Sequence, residues 1–164
     1  MDLRTAERIA GKLTKTTKMP GYSYGIPAKA CKTGSILRED PDSPCYGCYA
    51  FKGRYAFPNV ANAQQRRLDG IVHPQWADAM VFLIERYVDR EIPFFRWHDA
   101  GDIQDLEHLH KIAQIAQRIP WVNFWIPTQE RDIVYDYARC NEIPANLTIR
   151  ISNQKRGEHV ERSI

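Results

Sequence analysis

The chain has 164 residues, 43% hydrophobic and 26% charged, which suits one globular domain and excludes disorder and low-complexity repeats. Its longest apolar run, Ala79 to Ile84, is too short to span a bilayer, and the N-terminus lacks the apolar stretch of a secretory signal, so a cytoplasmic setting without membrane contact is expected. The net charge of +3 is uneven: residues 1–67 hold 12 Lys and Arg against 5 Asp and Glu, whereas residues 68–164 hold 11 against 15.

In chain order, residues 2–10 read as a short helix inside a basic segment covering 1–18. Residues 19–55 form a loop that carries three cysteines. Pro20, Gly21, Gly25, Pro27, Gly34, Pro41 and Pro44 interrupt regular structure there, with a short strand near Tyr22–Ile26 and a helix starting at 45–55. Residues 56–164 alternate. Asn59–Leu68 reads as a polar helix, and 75–89 as an amphipathic helix with Trp76, Met80, Leu83, Ile84 and Tyr87 on one face. Pro93–Trp97 is an aromatic strand, 104–118 a helix, Trp121–Ile126 a strand ended by Pro127, 130–140 a helix and Leu147–Ser152 a β-branched strand. Phe94, Phe95, Trp97, Phe124 and Trp125 read as core, and His108 and His110 as surface residues of their helix.

Alternation at this spacing predicts an α/β fold with parallel strands and right-handed crossovers. About four strands with flanking helices make either an open parallel sheet or a partial (βα) barrel. Four cannot close an eight-stranded barrel, so the chain reads as a natural half-barrel or a fragment of a larger one. The ending from Lys155 to Ile164 supplies no closing element.

Cys31, Cys45 and Cys48 fall within 18 residues of loop, which is the arithmetic of a metal site in a reducing compartment. Thiolates take zinc or iron–sulfur clusters, and the residues leave both open. A closed zinc site needs a fourth ligand, for which Cys140, His73 and His98 are candidates.

The strand ends carry the other candidates. Ligands bind beyond the carboxyl ends of parallel strands, which is where His98, Asp99, Ala100, Gly101 and Asp102 fall. Asp102 suits an ammonium group or a ribose hydroxyl, or alternatively the N-cap of the next helix. Thr128 with Gln129, and Ser152 with Asn153, end the next two strands and could ring the same pocket, or serve as caps and turn formers. Arg150 inside a strand calls for an anionic partner.

The run Cys45-Tyr46-Gly47-Cys48-Tyr49-Ala50 after a distant Cys31 resembles the Cys-x-x-Cys-Tyr-Ala signature of phage radical S-adenosylmethionine-like proteins. Phe95–Asp102 and Phe124–Thr128 resemble the phage gene product 88 family, with similarity from about Gly21 to Asn153. The resemblance implies a partial barrel in which Cys31, Cys45 and Cys48 ligate three irons of a [4Fe–4S] cluster. The fourth iron would be open to S-adenosylmethionine. Ala100, Gly101 and Asp102 would bind its amine, and Arg150, Ser152 and Asn153 its ribose or carboxylate. An electron donor and an unidentified substrate are implied, in the host cytoplasm for a phage-encoded protein. No catalytic residue is assigned.

Two motifs depart from the radical enzymes. The first cysteine gap is 13 residues rather than 3, and Ala-Gly-Asp stands where Gly-Gly-Glu is usual. The alternative expectation is therefore a non-catalytic zinc or iron–sulfur phage protein. It would bind nucleic acid through its basic N-terminal third, or a host protein.

Overall fold

A computed structural model describes residues 1–17 and 19–158. Part of the ending from Lys155, expected to supply no closing element, therefore lies outside the described residues. Helix α1 (Leu3–Ala10) starts on Asp2, whose Oδ1 accepts the Thr5 N–H at 2.8 Å. Strand β1 (Tyr22–Tyr24) follows, then a short helix α2 (Thr33–Leu37), then α3 (Pro58–Gly70) and α4 (Trp76–Tyr87). Two βα steps and a last strand follow: β2 (Phe94–Trp97), α5 (Leu106–Arg118), β3 (Asn123–Thr128), α6 (Arg131–Cys140) and β4 (Leu147–Ile151).

The four strands form one all-parallel sheet in the order β1-β2-β3-β4, as the alternation predicts. Strands that advance one place at a time through right-handed crossovers keep all their helices on one face. Accordingly α1 packs on α4, α4 on α5 and α5 on α6. Register places Phe95 beside Phe124 and Leu147, and Ile126 beside Ile149, on the helix-covered face, where all are buried. Ser23, Arg96, Trp125 and Thr148 share a row on the opposite face. No helix among the described residues is long and apolar enough to cross a membrane.

An aromatic stack fills the centre. Trp97 lies 5.0 Å from Phe95 and 5.8 Å from both Tyr24 and Trp76, centroid to centroid. Trp76 Nε1 donates to the Tyr24 hydroxyl at 3.1 Å, and that hydroxyl donates to the Ala10 carbonyl at 2.6 Å. One buried tyrosine thus ties β1 to α1 and α4.

Several expectations are corrected. Residues 45–55 form turns and two short 3-10 helices, Tyr49–Phe51 and Gly53–Ala56, rather than a longer helix. The strand near 22–26 stops at Tyr24, because the Ile26 N–H bonds to the Ala100 carbonyl instead of continuing the ladder. Pro127 lies inside β3 rather than ending it. Asn123 N–H points to β2 and Phe124 N–H to the β4 side, so by alternation the missing Pro127 N–H faces β2, beyond the last β2–β3 pair at Arg96–Trp125. Phe94 and Trp125 are exposed on the uncovered face rather than in the core. His108 is buried, whereas His110 is exposed as expected.

Candidate functional site

The carboxyl ends of the strands carry a locked polar rim. After β2 the chain turns sharply through His98 (φ 56°) and Gly101 (φ 83°). Asp102 then turns inward and is buried. Its Oδ1 accepts the Ile103 N–H at 2.8 Å and the Thr128 hydroxyl at 2.6 Å, and its Oδ2 accepts the Gln129 N–H at 2.8 Å. Burial pushes its carboxyl up to about 6, against the opposing pull of these three donors. The N-cap of α5 is Asp105, which accepts the His108 N–H at 2.7 Å, so Asp102 does not cap that helix. One lone pair of Oδ2 remains for a ligand.

The cysteine loop is pinned to this rim. Glu130, just past β3, is buried and takes both donors of Thr33: the N–H at 2.9 Å on Oε1 and the hydroxyl at 2.7 Å on Oε2. This carboxylate satisfies the first turn of α2 from across the sheet. Lys32 Nζ donates to the Gln104 carbonyl, and buried Ser43 Oγ accepts the Cys45 N–H at 3.1 Å.

These ties bring Cys31, Cys45 and Cys48 together, each half-buried and without a disulfide. Burial pushes the Cys31 thiol up to about 12, and the nearby acidic groups of Asp102, Cys48, Cys45 and Glu130 add to the rise. The Cys45 thiol is raised mainly by burial, against hydrogen bonds from Ser43 and Gln129. A Cβ on Gly34 would lie 3.7 Å from Cys45 Sγ and 3.8 Å from Cys31 Sγ. The same Cβ would lie only 3.1 Å from Cys31 Cβ, so glycine lets α2 pack closely against the two cysteines.

The other sulfur and imidazoles lie apart. Cys140 is exposed at the end of α6. His73 Nδ1 accepts the Gln75 N–H at 3.1 Å ahead of α4. His98 is buried against His108 of α5, ring centroids 5.2 Å apart. Among the described residues, no three His, Cys, Asp or Glu side chains converge tightly enough to hold a single metal ion. Thiolates on one tetrahedral zinc stand about 3.8 Å from each other, from Zn–S bonds of about 2.3 Å. Thiolates on separate irons of a cluster need no such crowding.

The remaining candidates spread around the rim. Thr128 bonds Asp102 and accepts the Glu130 N–H at 3.0 Å. Ala100 is buried, and its carbonyl accepts from Ile26 at 2.9 Å. Ser152 N–H extends the β3–β4 pairing to the Thr128 carbonyl at 2.8 Å, and the Asn153 carbonyl accepts Gln129 Nε2 at 3.1 Å. Arg150 differs: it is exposed, on the uncovered face, and no carboxylate pairs with it among the described residues. Sequence reading missed three contributors. Glu130 read only as a helix start. Thr33 lay in apparent loop, and Tyr55, whose hydroxyl donates to Asp99 Oδ2 at 2.8 Å, had no motif around it.

A singly wound parallel βα sheet with its helices on one face makes this an α/β domain. The sequence model of the family described as Gene product 88 matches residues 3–163, and the chain belongs to that phage family. No curated protein and no solved structure matches it.

Proposed function

We propose that the chain is an iron–sulfur protein related in chemistry to the radical S-adenosylmethionine enzymes. Cys31, Cys45 and Cys48 would hold a [4Fe–4S] cluster at the rim. The observation that carries this reading is that three thiols of one loop lie near Asp102 and Glu130, two of them packed against Gly34. The donor set fits: thiolates are the ligands such clusters take.

The cluster would supply one electron for reductive cleavage of S-adenosylmethionine bound at its open iron. The protein's part is positioning. The remaining Oδ2 lone pair of Asp102 and the backbone at Ala100 and Gly101 lie where an amine could be held. Thr128, Ser152 and Asn153 line the neighbouring strand ends. Arg150 stands one residue before Ile151 in β4, with its charge free for a carboxylate.

Anaerobic purification with iron and sulfide analysis tests the reading. The wild type should be brown, with about four irons and four labile sulfides per chain, and Cys48→Ala should lose most of both. Cys140→Ala should match the wild type. One zinc per chain with no labile sulfide sinks the proposal in favour of a structural metal site. With the cluster in place, dithionite should release 5′-deoxyadenosine from S-adenosylmethionine. A brown protein that never does so leaves an iron–sulfur protein without the radical chemistry.

A further inference from the structure

The uncovered face of the sheet is hollowed at its β1–β2 end. A cavity of about 1010 Å³ opens between residues 14–17, Met19, α3 and Arg96 of β2. This is large enough for a drug-sized ligand, for which pockets run to roughly 300–1,000 Å³.

Its charge is one-sided. Among the described lining residues, Lys15, Arg54, Arg67 and Arg96 face one carboxylate, Asp99. Arg67 is buried, and its nitrogens donate only to neutral oxygens: the Lys12 carbonyl at 2.8 Å, the Gly25 carbonyl at 2.9 Å and the Thr14 hydroxyl at 2.7 Å. Arg96 stacks over the Trp125 ring at 4.7 Å and has no carboxylate partner among the described residues. Arg67 is thus satisfied within the fold, whereas half-buried Arg96 and exposed Lys15 and Arg54 leave the lining with an excess of positive charge that suits an incoming anion.

Three polar atoms of the lining are buried and unpartnered: Arg96 Nε, Thr16 Oγ1 and Asp99 Oδ1. They comprise a charged donor, a hydroxyl and a charged acceptor. Asp99 is 6% exposed, and Tyr55 already occupies its other oxygen. A ligand that satisfies all three must carry an acid group and a hydrogen-bond donor. Tyr49 and Tyr55, edge to face at 5.7 Å, add an aromatic wall against which a planar ring can pack.

We infer that this cavity binds an organic phosphate of the nucleotide type. Arg96 and Arg54 take the phosphate, Asp99 accepts from a sugar hydroxyl, and the tyrosines flank the base. The cavity is distinct from the sites proposed for the cluster and for S-adenosylmethionine. The sulfonium cofactor carries net positive charge, which these guanidiniums repel. Because the binding needs no metal, the inference stands or falls apart from the cluster. The Tyr49 hydroxyl donates to the Asp99 carbonyl, and Tyr49 adjoins Cys48 in the chain, so a ligand here would lie next to the cysteine loop.

The test is calorimetric titration of the full chain with adenosine 5′-monophosphate, adenosine, inorganic phosphate and a single-stranded oligonucleotide. The monophosphate should bind at least tenfold more tightly than adenosine or phosphate. Arg96→Met and Asp99→Asn should each weaken it about tenfold or more, while near-ultraviolet circular dichroism stays unchanged. The amide oxygen introduced by Asp99→Asn would still accept from Tyr55, so this variant keeps that internal tie. Arg118→Met, which breaks a pair with Asp78 in the helix layer, should leave binding as it is. Equal affinity for adenosine and its monophosphate overturns the inference, as does full affinity in a folded Arg96→Met protein. Oligonucleotide binding that is tighter than the monophosphate and indifferent to Arg96→Met would assign the charge to a nucleic-acid surface instead, and overturns it too.

Discussion

Thr128 donates its hydroxyl to Asp102 Oδ1 at 2.6 Å, and so fastens the turn after β2 to the end of β3. Burial holds the Asp102 carboxyl at about 6, above its ordinary value of 3.8. Between these two values the folded protein binds a proton that the unfolded chain does not, so stability falls as pH rises through this window. The loss from this one group is about 3 kcal/mol at most. Asp102→Asn cannot titrate, and its amide nitrogen meets the N–H of Gln129 or Ile103. It should be less stable at every pH, with the deficit largest near pH 4 and about 3 kcal/mol smaller near pH 7. Urea denaturation at both pH values measures the gap, and a gap independent of pH refutes the buried-acid account.

Gly101 should tolerate no side chain. Its φ of 83° is left-handed, and a Cβ there would come within 2.2 Å of Ile26 Cγ1 and 2.8 Å of the Ile26 carbonyl oxygen. Conformational strain and the clash with backbone together should cost on the order of 3 kcal/mol in Gly101→Ala. That corresponds to a fall in Tm of about 10 °C for a domain of this size. A thermal scan showing a loss under about 2 °C would mean that the β1–β2 rim is far softer than its geometry.

The layers of the fold are legible because their signal is local. Alternation at Phe95 and Trp97, at Phe124 and Ile126, and at Leu147, Ile149 and Ile151 marks the buried side of each strand. Trp76, Met80, Leu83 and Ile84 mark the buried side of α4 in the same way. Phe94 and Trp125 mislead, because aromatic residues on an uncovered sheet face have the composition of core. The cysteine spacing is legible for a similar reason, since both gaps lie in one stretch of chain. What pins that stretch is not legible. Glu130 reaches Thr33 across 97 residues and Tyr55 reaches Asp99 across 44, and nothing near either partner announces the other. His108 reads as surface because its neighbours Glu107 and His110 are exposed, yet its own position in the turn faces Trp76 and His98.

Gly34→Ala separates folding from metal loading. Gly34 lies in α2, where alanine is favoured over glycine by about 0.5–1 kcal/mol. The new Cβ would press on Cys31 Cβ at 3.1 Å, which offsets part of that gain, and would stand 3.7 Å and 3.8 Å from the two sulfurs. The metal-free variant should remain within about 1 kcal/mol of the wild type. Its iron content after anaerobic reconstitution should fall several-fold. Full loading in Gly34→Ala would show that the close packing at Gly34 has nothing to do with a cluster.

His98 and His108 face each other beneath the sheet, and both stay neutral. Burial drives His98 well below its ordinary value, with the neighbouring His108 and Arg96 adding to the effect. His108 falls to about 3, mainly through burial and then through the nearby Lys111 charge. In the unfolded chain both imidazoles take up protons near pH 6.5. As pH falls below that value the unfolded state therefore binds more protons, and stability is lost at up to roughly 1.4 kcal/mol per pH unit for each histidine. His108→Phe keeps a ring beside Trp76, now 5.4 Å from the imidazole, but leaves the Gln104 N–H without the acceptor it has at 3.2 Å. The variant should start about 1–2 kcal/mol less stable at neutral pH. Since it has one fewer group to protonate on unfolding, that deficit should shrink or reverse by about 2 kcal/mol at pH 5. Denaturant midpoints at pH 7 and pH 5 decide the matter. A wild type and variant that lose stability in parallel would mean that His108 takes up its proton in the folded protein as readily as in the unfolded one.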